Sequence, residues 1–418
     1  MRDQLRVPAA PDLAAAGPLA VATVIARLEG GAGVLALRGA LAMDPQTCRV
    51  TIITGQGDQL IAAALAAGLE VVVEPALRAP IRPATDVRAL RRLTALFAGQ
   101  GFDVVHTHCA KAGALGRMAA RRAGVARIVH TFHGFPFHEF QSRALRQAYV
   151  SIEQRLGRIT DVALCVGAGV AAEAIRRELI SPTRIATIGV SVDGPGRVRA
   201  SREAGSPAAR HRARAALGLP DDALVVGAVG RLTYQKAPED FVTALGLLDR
   251  PGVIGLWVGG GELADRVRRH AESLPDGRFR LAGERGDVLD ILPAFDVFAL
   301  PSRYEGLPTV LIEAMICGVP VVATAVNAVP DLVIPGETGL LVPPRRPDLL
   351  ATAIAHLLDS PATAGRMAAE ASGRVAGRYG ETALRDSLVA AYGMKAAIGG
   401  DAGRVLGTNP VRLAEVVG

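Results

Sequence analysis

Aromatic residues, cysteine and lysine are all scarce in this chain, and long apolar runs are missing; each shortage narrows what the protein can be. Aromatics make up 4% of 418 residues, with a single Trp. The cores must therefore be filled by Ala, Val, Leu and Ile. The basic segments also lack the interleaved aromatics and reading motifs of a nucleic-acid binder, so no nucleic-acid partner is expected. No window approaches about 18 uninterrupted apolar residues, so no transmembrane helix is predicted. The first 16 residues mix Arg2, Asp3, Arg6 and Asp12 with Ala and Pro. They do not place a compact apolar block after a basic start, which is the pattern of a secretory signal. The four cysteines, Cys48, Cys109, Cys165 and Cys317, are far apart. Without metal-type or disulfide-framework spacing they fit a reducing, cytoplasmic setting. Lysine occurs only at Lys111, Lys236 and Lys395, against 44 arginines, so a lysine kept in a ligand-facing loop stands out from the composition.

What is present is the material of a packed globular protein: 50% hydrophobic and 21% charged residues. The length suggests about two domains of ordinary size. Charge is divided unevenly. Residues 1–214 carry 28 Lys and Arg against 16 Asp and Glu, while the remainder carries 19 against 24. A basic first half beside an acidic second half points to an anionic partner for the first half alone, or to a solvated basic surface. Membrane phosphates and a lipid-linked acceptor are the candidate anions. Arg88, Arg91 and Arg92 recur at helical spacing, as do Arg117 and Arg121, so each set is expected to form one basic face.

Apolar β-branched runs alternate with longer Ala, Leu and Arg runs of helical period. Strands are predicted at Leu19–Ala26, Cys48–Thr54, Leu69–Glu74, Asp103–Thr107, Arg127–Phe132 and Val162–Val166. After a Gly-, Pro-, Ser- and Arg-rich stretch the pattern restarts, with strands at Ala223–Val229, Val253–Val258, Phe279–Ala282, Val297–Leu300, Val319–Ala323 and Gly339–Val342. Strand–helix alternation with short connections implies parallel sheets covered by helices on both faces. The expected organisation is a first Rossmann-like domain over 1–195, a linker at 196–207 and a second domain over 208–379. A helix within 380–397 is expected to return to the first domain, and a tail covers 398–418.

Chemistry concentrates after the strand Val297–Leu300. There the chain reads Pro301-Ser302-Arg303-Tyr304-Glu305-Gly306-Leu307-Pro308, followed by Glu313-Ala314-Met315 and Gly318-Val319-Pro320. In an open α/β sheet, ligands bind at the carboxyl ends of strands. Gly306 permits close backbone approach, and Pro308 suits the first turn of a helix whose free N–H groups attract an anion. Two carboxylates eight positions apart, Glu305 in the loop and Glu313 in the helix, are placed to accept hydrogen bonds from sugar and ribose hydroxyls, unless they are simple turn and surface residues. Upstream, Arg231 and Lys236 follow another strand. Two fixed cations there would stabilise negative charge on a ligand without a metal, unless they belong to a plain exposed basic loop. Five of eight histidines fall within Val105–Glu139, at His106, His108, His130, His133 and His138. A metal site, structural histidines satisfied by backbone (expected for His106 and His130), and a cleft-facing His133 are the competing readings.

The string from Pro301 to Pro320 resembles retaining glycosyltransferase family 4, a GT-B fold family with an EX7E motif whose glutamates match Glu305 and Glu313. The resemblance covers about Gly227–Leu358, with a weaker stretch over Val104–Phe140, and is similar to bacterial cell-surface glycan enzymes. It implies two Rossmann-like domains with parallel sheets facing across a cleft, acceptor on the first and nucleotide sugar on the second. By the same resemblance Glu305 faces the donor sugar and Glu313 holds the ribose. Gly306, Leu307 and Pro308 lie near donor sugar and phosphates, and Arg231 with Lys236 hold the diphosphate. The loop containing Gly283 and Arg285 meets the base, Gly30 and Gly31 approach the donor phosphates, and His133 stands near the reacting carbon. No metal or other cofactor is implied, and the acceptor is a saccharide or a lipid-linked one, with possible peripheral contact to the inner face of the plasma membrane. A nucleotide-sugar epimerase of similar fold and an inactive sugar-nucleotide-binding protein remain as alternatives.

Overall fold

The protein is described here by a computed structural model covering residues 17–394, apart from 79–80, 138–140, 190–191, 193–199, 201–202, 249 and 377–378. The extension at 1–16, the tail at 398–418, His138 and most of the expected linker lie outside the described residues. The central apolar runs are strands buried on both faces, as a parallel sheet between helices requires. All seven residues of β1 (Leu19–Ile25) are buried. The first sheet adds β2 (Cys48–Thr54), β3 (Glu70–Val73), β4 (Val104–His108), β5 (Arg127–Phe132), β6 (Val162–Cys165) and β7 (Ile185–Thr187), in the order β3-β2-β1-β4-β5-β6-β7. The second contains β8 (Leu224–Val229), β9 (Val253–Val258), β10 (Phe279–Gly283), β11 (Val297–Leu300), β12 (Val321–Thr324) and β13 (Leu340–Val342), in the order β10-β9-β8-β11-β12-β13. Every pairing is parallel.

Strand order reverses between β1 and β4 in one sheet and between β8 and β11 in the other. These switch points open crevices at the carboxyl ends of the central strands. The loops after β4, β5, β8, β11 and β12 all leave from those ends, which is why the sequence motifs converge. Two differences from the sequence reading are local. The edge strand β7 has three residues, too short to show a period. A helix, Pro207–Leu217, starts at the end of the expected linker, with the Ser206 hydroxyl accepting from the Ala209 amide at 3.5 Å.

The helix Glu381–Tyr392 packs on the first sheet. Leu388 lies against Gly39, the Arg127 Nε donates to the Ala391 carbonyl at 2.6 Å, and the Tyr392 hydroxyl meets His106 Nδ1 at 2.8 Å. One hydrophobic core runs through the inner layers of both halves, while separate clusters fill the outer layer of each.

One expected surface residue is interior. Arg117 does not share a basic face with Arg121. Its side chain is fully buried, with Nη2 on Glu153 Oε2 at 2.7 Å and Nε on the Gly113 carbonyl at 2.8 Å. The i, i+4 spacing is real, but Arg117 turns toward the helix Arg143–Gly157 while Arg121 stays exposed. Removing Arg117 strands a buried carboxylate, so Arg117→Ala is expected to cost about 3–5 kcal/mol. Arg88→Ala, at an exposed position, should stay within about 0.5 kcal/mol of wild type. Urea unfolding of both variants checks this, and equal destabilisation would contradict the burial argument.

Candidate active site in the cleft between the sheets

Glu305 is 6% exposed, so its charge needs partners. It has three. Lys236 Nζ lies 2.5 Å from Oε1, Ser302 Oγ donates to the same oxygen at 2.6 Å, and Gln235 Nε2 donates to Oε2 at 3.3 Å. The partners come from the loop after β8 and the loop after β11, adjacent strands that hold them in register. Gln235 Nε2 also reaches the Tyr304 carbonyl at 3.0 Å, and the Arg303 amide donates to the Gln235 carbonyl at 2.8 Å. The Arg303 guanidinium, over the Tyr234 ring at 4.2 Å, is paired with Asp240 at 3.1 Å. Its charge is therefore spent inside the second domain.

The turn after β8 is fixed by its neighbour after β9. The Trp257 indole donates to the Gly230 carbonyl at 2.8 Å, and the Leu232 amide to the Gly260 carbonyl at 2.7 Å. A Cβ on Gly259, where φ is +132°, would stand 2.2 Å from the Gly230 carbonyl oxygen. The tight crossing leaves Arg231 exposed at the mouth of the turn, with no side-chain hydrogen bond or ion pair among the described residues.

Across the cleft, the first domain presses onto the same loops. A Cβ on Gly306 would lie 1.7 Å from the His133 carbonyl oxygen, so only glycine admits that contact. The Glu305 amide donates to Asn327 Oδ1 at 2.9 Å. Asn327 follows β12 with φ at 46°, a conformation asparagine tolerates better than most residues. Its carbonyl abuts Gly169 of the helix Ala168–Arg176. That helix begins after Gly167, which offers no capping side chain, and Asp331 of the other domain accepts from the Gly169 amide at 3.2 Å. Between these contacts lies a cavity of about 800 Å³, lined on one side by His133, Phe135 and Arg146 and on the other by Tyr304, Glu305 and Asn327.

His106, His108 and His133 form a ladder on one face of the first sheet, with His133 only half-buried, while His130 faces the other side. His106 Nε2 is 2.7 Å from Thr131 Oγ1, His130 Nδ1 is 2.9 Å from Thr107 Oγ1, and His108 Nδ1 is 2.9 Å from His133 Nε2. Hydroxyls rather than backbone groups satisfy His106, while His130 is met by both the hydroxyl and the backbone of Thr107. Only one proton fits between two ring nitrogens, so His108 and His133 constrain each other's tautomer. Burial pushes the His106 imidazole down to about 3, with His133 adding repulsion, and burial pushes His133 down to about 4. Among the described residues no group of three His, Cys, Asp or Glu side chains is placed to hold a metal ion.

The remaining sequence candidates do not line this cavity. Gly30 and Gly31 open the helix Gly30–Leu41 with free space about them. Leu307 is buried, and Pro308 sits at the N-cap of the helix Thr309–Ile316, one residue before its first turn. Glu313 is half-buried in that helix. Burial raises its carboxyl above the usual range, with Arg38 of the first domain opposing. Gly283 is exposed with φ at +71°, and Arg285 is bound through both Nε and Nη2 to Asp287, at 2.8 and 2.5 Å. The structure thus brings His133, Lys236, Glu305 and Gly306 together. The sequence reading assigned no role to Gln235, Ser302, Asn327, Asp331 or Arg146. Ser302 sits inside the motif, and Asn327 follows a strand end, but their partners are distant in sequence.

Comparison with known proteins agrees with this geometry. Residues 29–193 match the family model described as Glycosyltransferase Family 4, and residues 223–360 the one described as Glycosyl transferases group 1. The chain belongs to the family 4 group of glycosyltransferases. It is 32% identical over 250 residues to a UDP-Gal:alpha-D-GlcNAc-diphosphoundecaprenol alpha-1,3-galactosyltransferase of Escherichia coli, covering 58% of this chain and 62% of that protein. It is 33% identical over 313 residues to a D-inositol 3-phosphate glycosyltransferase of Mycobacterium bovis, covering 70% and 61% respectively. The chain therefore spans about three fifths of the length of these relatives. Among solved structures, HepE of Anabaena in complex with UDP and glucose superposes with a TM-score of 0.75 at 19% identity, over 89% of this chain and 98% of that one. A glycosyltransferase of Rickettsia africae gives 0.72 at 16%, over 90% and 98%. The fold is GT-B, with two Rossmann-like domains facing across a cleft.

The histidine ladder generates a pH prediction for this family member. The unfolded chain protonates each imidazole near 6.5, whereas His133 and His106 stay neutral until about 4 and about 3. Stability is therefore complete above about pH 6.5 and falls as the pH drops toward 4. Each of these histidines should remove up to about 1.4 kcal/mol per pH unit in that window. Urea midpoints at pH 7.5 and 5.5 measure it; a flat profile would mean that the imidazoles are charged in the fold.

Proposed function

We propose that the protein transfers a glycosyl group from a nucleoside diphosphate sugar to an acceptor hydroxyl, retaining the anomeric configuration and using no bound metal. The observation that carries the reading is the buried Glu305 carboxylate, tied to Lys236 and Ser302 at the carboxyl ends of the central strands and set opposite His133. Glu305 and Glu313 fill the two positions of the EX7E motif. Glu305 would hold the donor sugar and Glu313 the ribose, with Gly283 and Arg285 beside the base. As the bond from the anomeric carbon to the diphosphate oxygen breaks, negative charge gathers on the phosphates. Lys236 has three N–H donors and gives one to Glu305, leaving the others for that charge beside Arg231. The Gly30–Gly31 turn and Gly306, Leu307 and Pro308 would meet the donor from either side. His133 would steady it near the reacting carbon. An acceptor that is lipid-linked or a glycan is supported by the Escherichia coli relative, whose name specifies a diphosphoundecaprenol substrate.

The test is to incubate the protein with labelled nucleotide sugars and a membrane extract, with and without chelator. Transfer that survives chelation is expected, and an isomerised donor without transfer would replace this reading with an epimerase. Arg231→Ala and Lys236→Ala should each lose about 2–4 kcal/mol of transition-state stabilisation while remaining folded. Near-normal turnover in both would remove the diphosphate clamp. No helix among the described residues is long and apolar enough to cross a membrane. The exposed Arg88, Arg91 and Arg121 support a peripheral, salt-sensitive association with anionic lipid, each worth on the order of 1 kcal/mol near the surface. Flotation with anionic and neutral vesicles at low and high salt checks it, and equal binding to both vesicle types would sink it.

A further inference from the structure

Among the described residues, the first-domain wall of the cavity holds more positive charge than its carboxylates neutralise. Three guanidinium groups line that wall, Arg146, Arg176 and Arg177, and Arg303 lines the cavity from the second domain. Arg303 is paired with Asp240. Arg176 and Arg177 share one carboxylate, that of Glu173, with Arg177 Nε at 2.5 Å, so two cations answer to a single anion. Arg146, half-buried on the helix Arg143–Gly157, makes no hydrogen bond or ion pair among the described residues. A partly desolvated guanidinium is costly to leave unpaired, because its charge loses water and gains nothing. It is also the side chain best matched to a phosphate, through two parallel N–H donors. Arg177 lies over the Phe137 ring at 5.1 Å, and Phe137 stacks on Phe135 at 4.8 Å between ring centroids. The aromatic pair holds Arg177 in place and gives the wall an apolar shelf beside the cations. None of this belongs to the proposed donor machinery, whose cations, Arg231 and Lys236, stand on the second domain.

Resting on the transferase reading, we propose that Arg146, with Arg177, forms an anion subsite for a phosphate or diphosphate carried by the acceptor. The donor's diphosphate would be held by one domain and the acceptor's phosphate by the other, with the reacting atoms between His133 and Glu305. The first-domain guanidinium groups have too few carboxylates among the described residues to neutralise them, so an acceptor that brings an anion to that wall is favoured over a neutral sugar. A lipid-linked diphosphate and a soluble sugar phosphate share this chemistry.

Calorimetric titration separates the possibilities. UDP and GDP are titrated first, into wild type, Arg146→Ala and Arg146→Lys. The protein saturated with whichever nucleotide binds is then titrated with dodecyl diphosphate, inorganic pyrophosphate and the uncharged dodecyl glucoside. At least one of the two diphosphate probes should bind wild type. Arg146→Ala should weaken that binding by about tenfold or more, the scale of a lost charge-assisted pair, and Arg146→Lys should restore part of it. Nucleotide affinity should change by less than about twofold, which also reports that the variants are folded. Dodecyl diphosphate binding without pyrophosphate binding assigns the subsite to a lipid-linked acceptor. Equal binding of both assigns it to a free phosphate group. The proposal is overturned if neither diphosphate probe binds, if dodecyl glucoside binds as tightly as dodecyl diphosphate, if Arg146→Ala changes nothing, or if nucleotide affinity falls in parallel. If neither nucleotide binds at all, the donor reading fails instead, and the same diphosphate titrations on the free protein still decide the subsite.

Discussion

A carboxylate removed from water has to be answered by a cation and by hydrogen-bond donors, and the cleft is arranged around that demand at Glu305. Its partners come from two loops, Lys236 and Gln235 from one and Ser302 from the other, so neither loop can move without exposing an unpaired charge. The sheet supplies the required accuracy. β8 and β11 are neighbours at the switch point, and the loops that leave them are close because the strands are hydrogen-bonded. Its amide is held by Asn327, after β12. On the second domain the carboxylate and its partners are already bonded to one another, the arrangement that the proposed electrostatic stabilisation would use.

The first domain is tied to that site by contacts that depend on missing side chains. Gly306 admits the His133 carbonyl, and Gly169 admits Asn327 while its amide takes Asp331 as a cap. Those contacts place the histidine ladder beside the Glu305 loop. The ladder is itself braced from the far end of the chain, because Tyr392 binds His106, whose ring lies 4.3 Å from that of His108. Residues more than 250 positions apart in sequence therefore share one buried polar network. One member is left unsatisfied, because His108 Nε2 is buried with no hydrogen-bond partner among the described residues, and low dielectric penalises such an atom.

Electrostatically the two walls differ. The second domain presents a nearly neutralised pair, Lys236 with Glu305, and an exposed Arg231. The first presents guanidinium groups with too few carboxylates. The whole-chain asymmetry, basic first half and acidic second half, is the coarse trace of this arrangement together with the exposed arginines of the outer helices.

Sequence alone determined much of the architecture. Strands buried on both faces write their burial as continuous β-branched runs, so most of the thirteen strands, β7 excepted, were legible to within a residue or two. The motif from Pro301 to Pro320 was legible because a loop, a glycine and a helix start are local features. Arg231, Lys236, Glu305 and His133 could be named for the same reason. What the sequence did not contain was direction and partnership. Helical spacing placed Arg117 beside Arg121 on a surface face, but spacing does not say which side of a helix meets another element, and Arg117 is buried against Glu153. Nothing in the local string around Asn327, Asp331 or Arg146 marks them out. Asn327 and Asp331 matter through contacts across domains, and Arg146 through having no hydrogen bond or ion pair among the described residues. Hydrogen bonds and unpaired charges are properties of pairs distant in the chain, and only the folding of two sheets onto one cleft decided which pairs would meet.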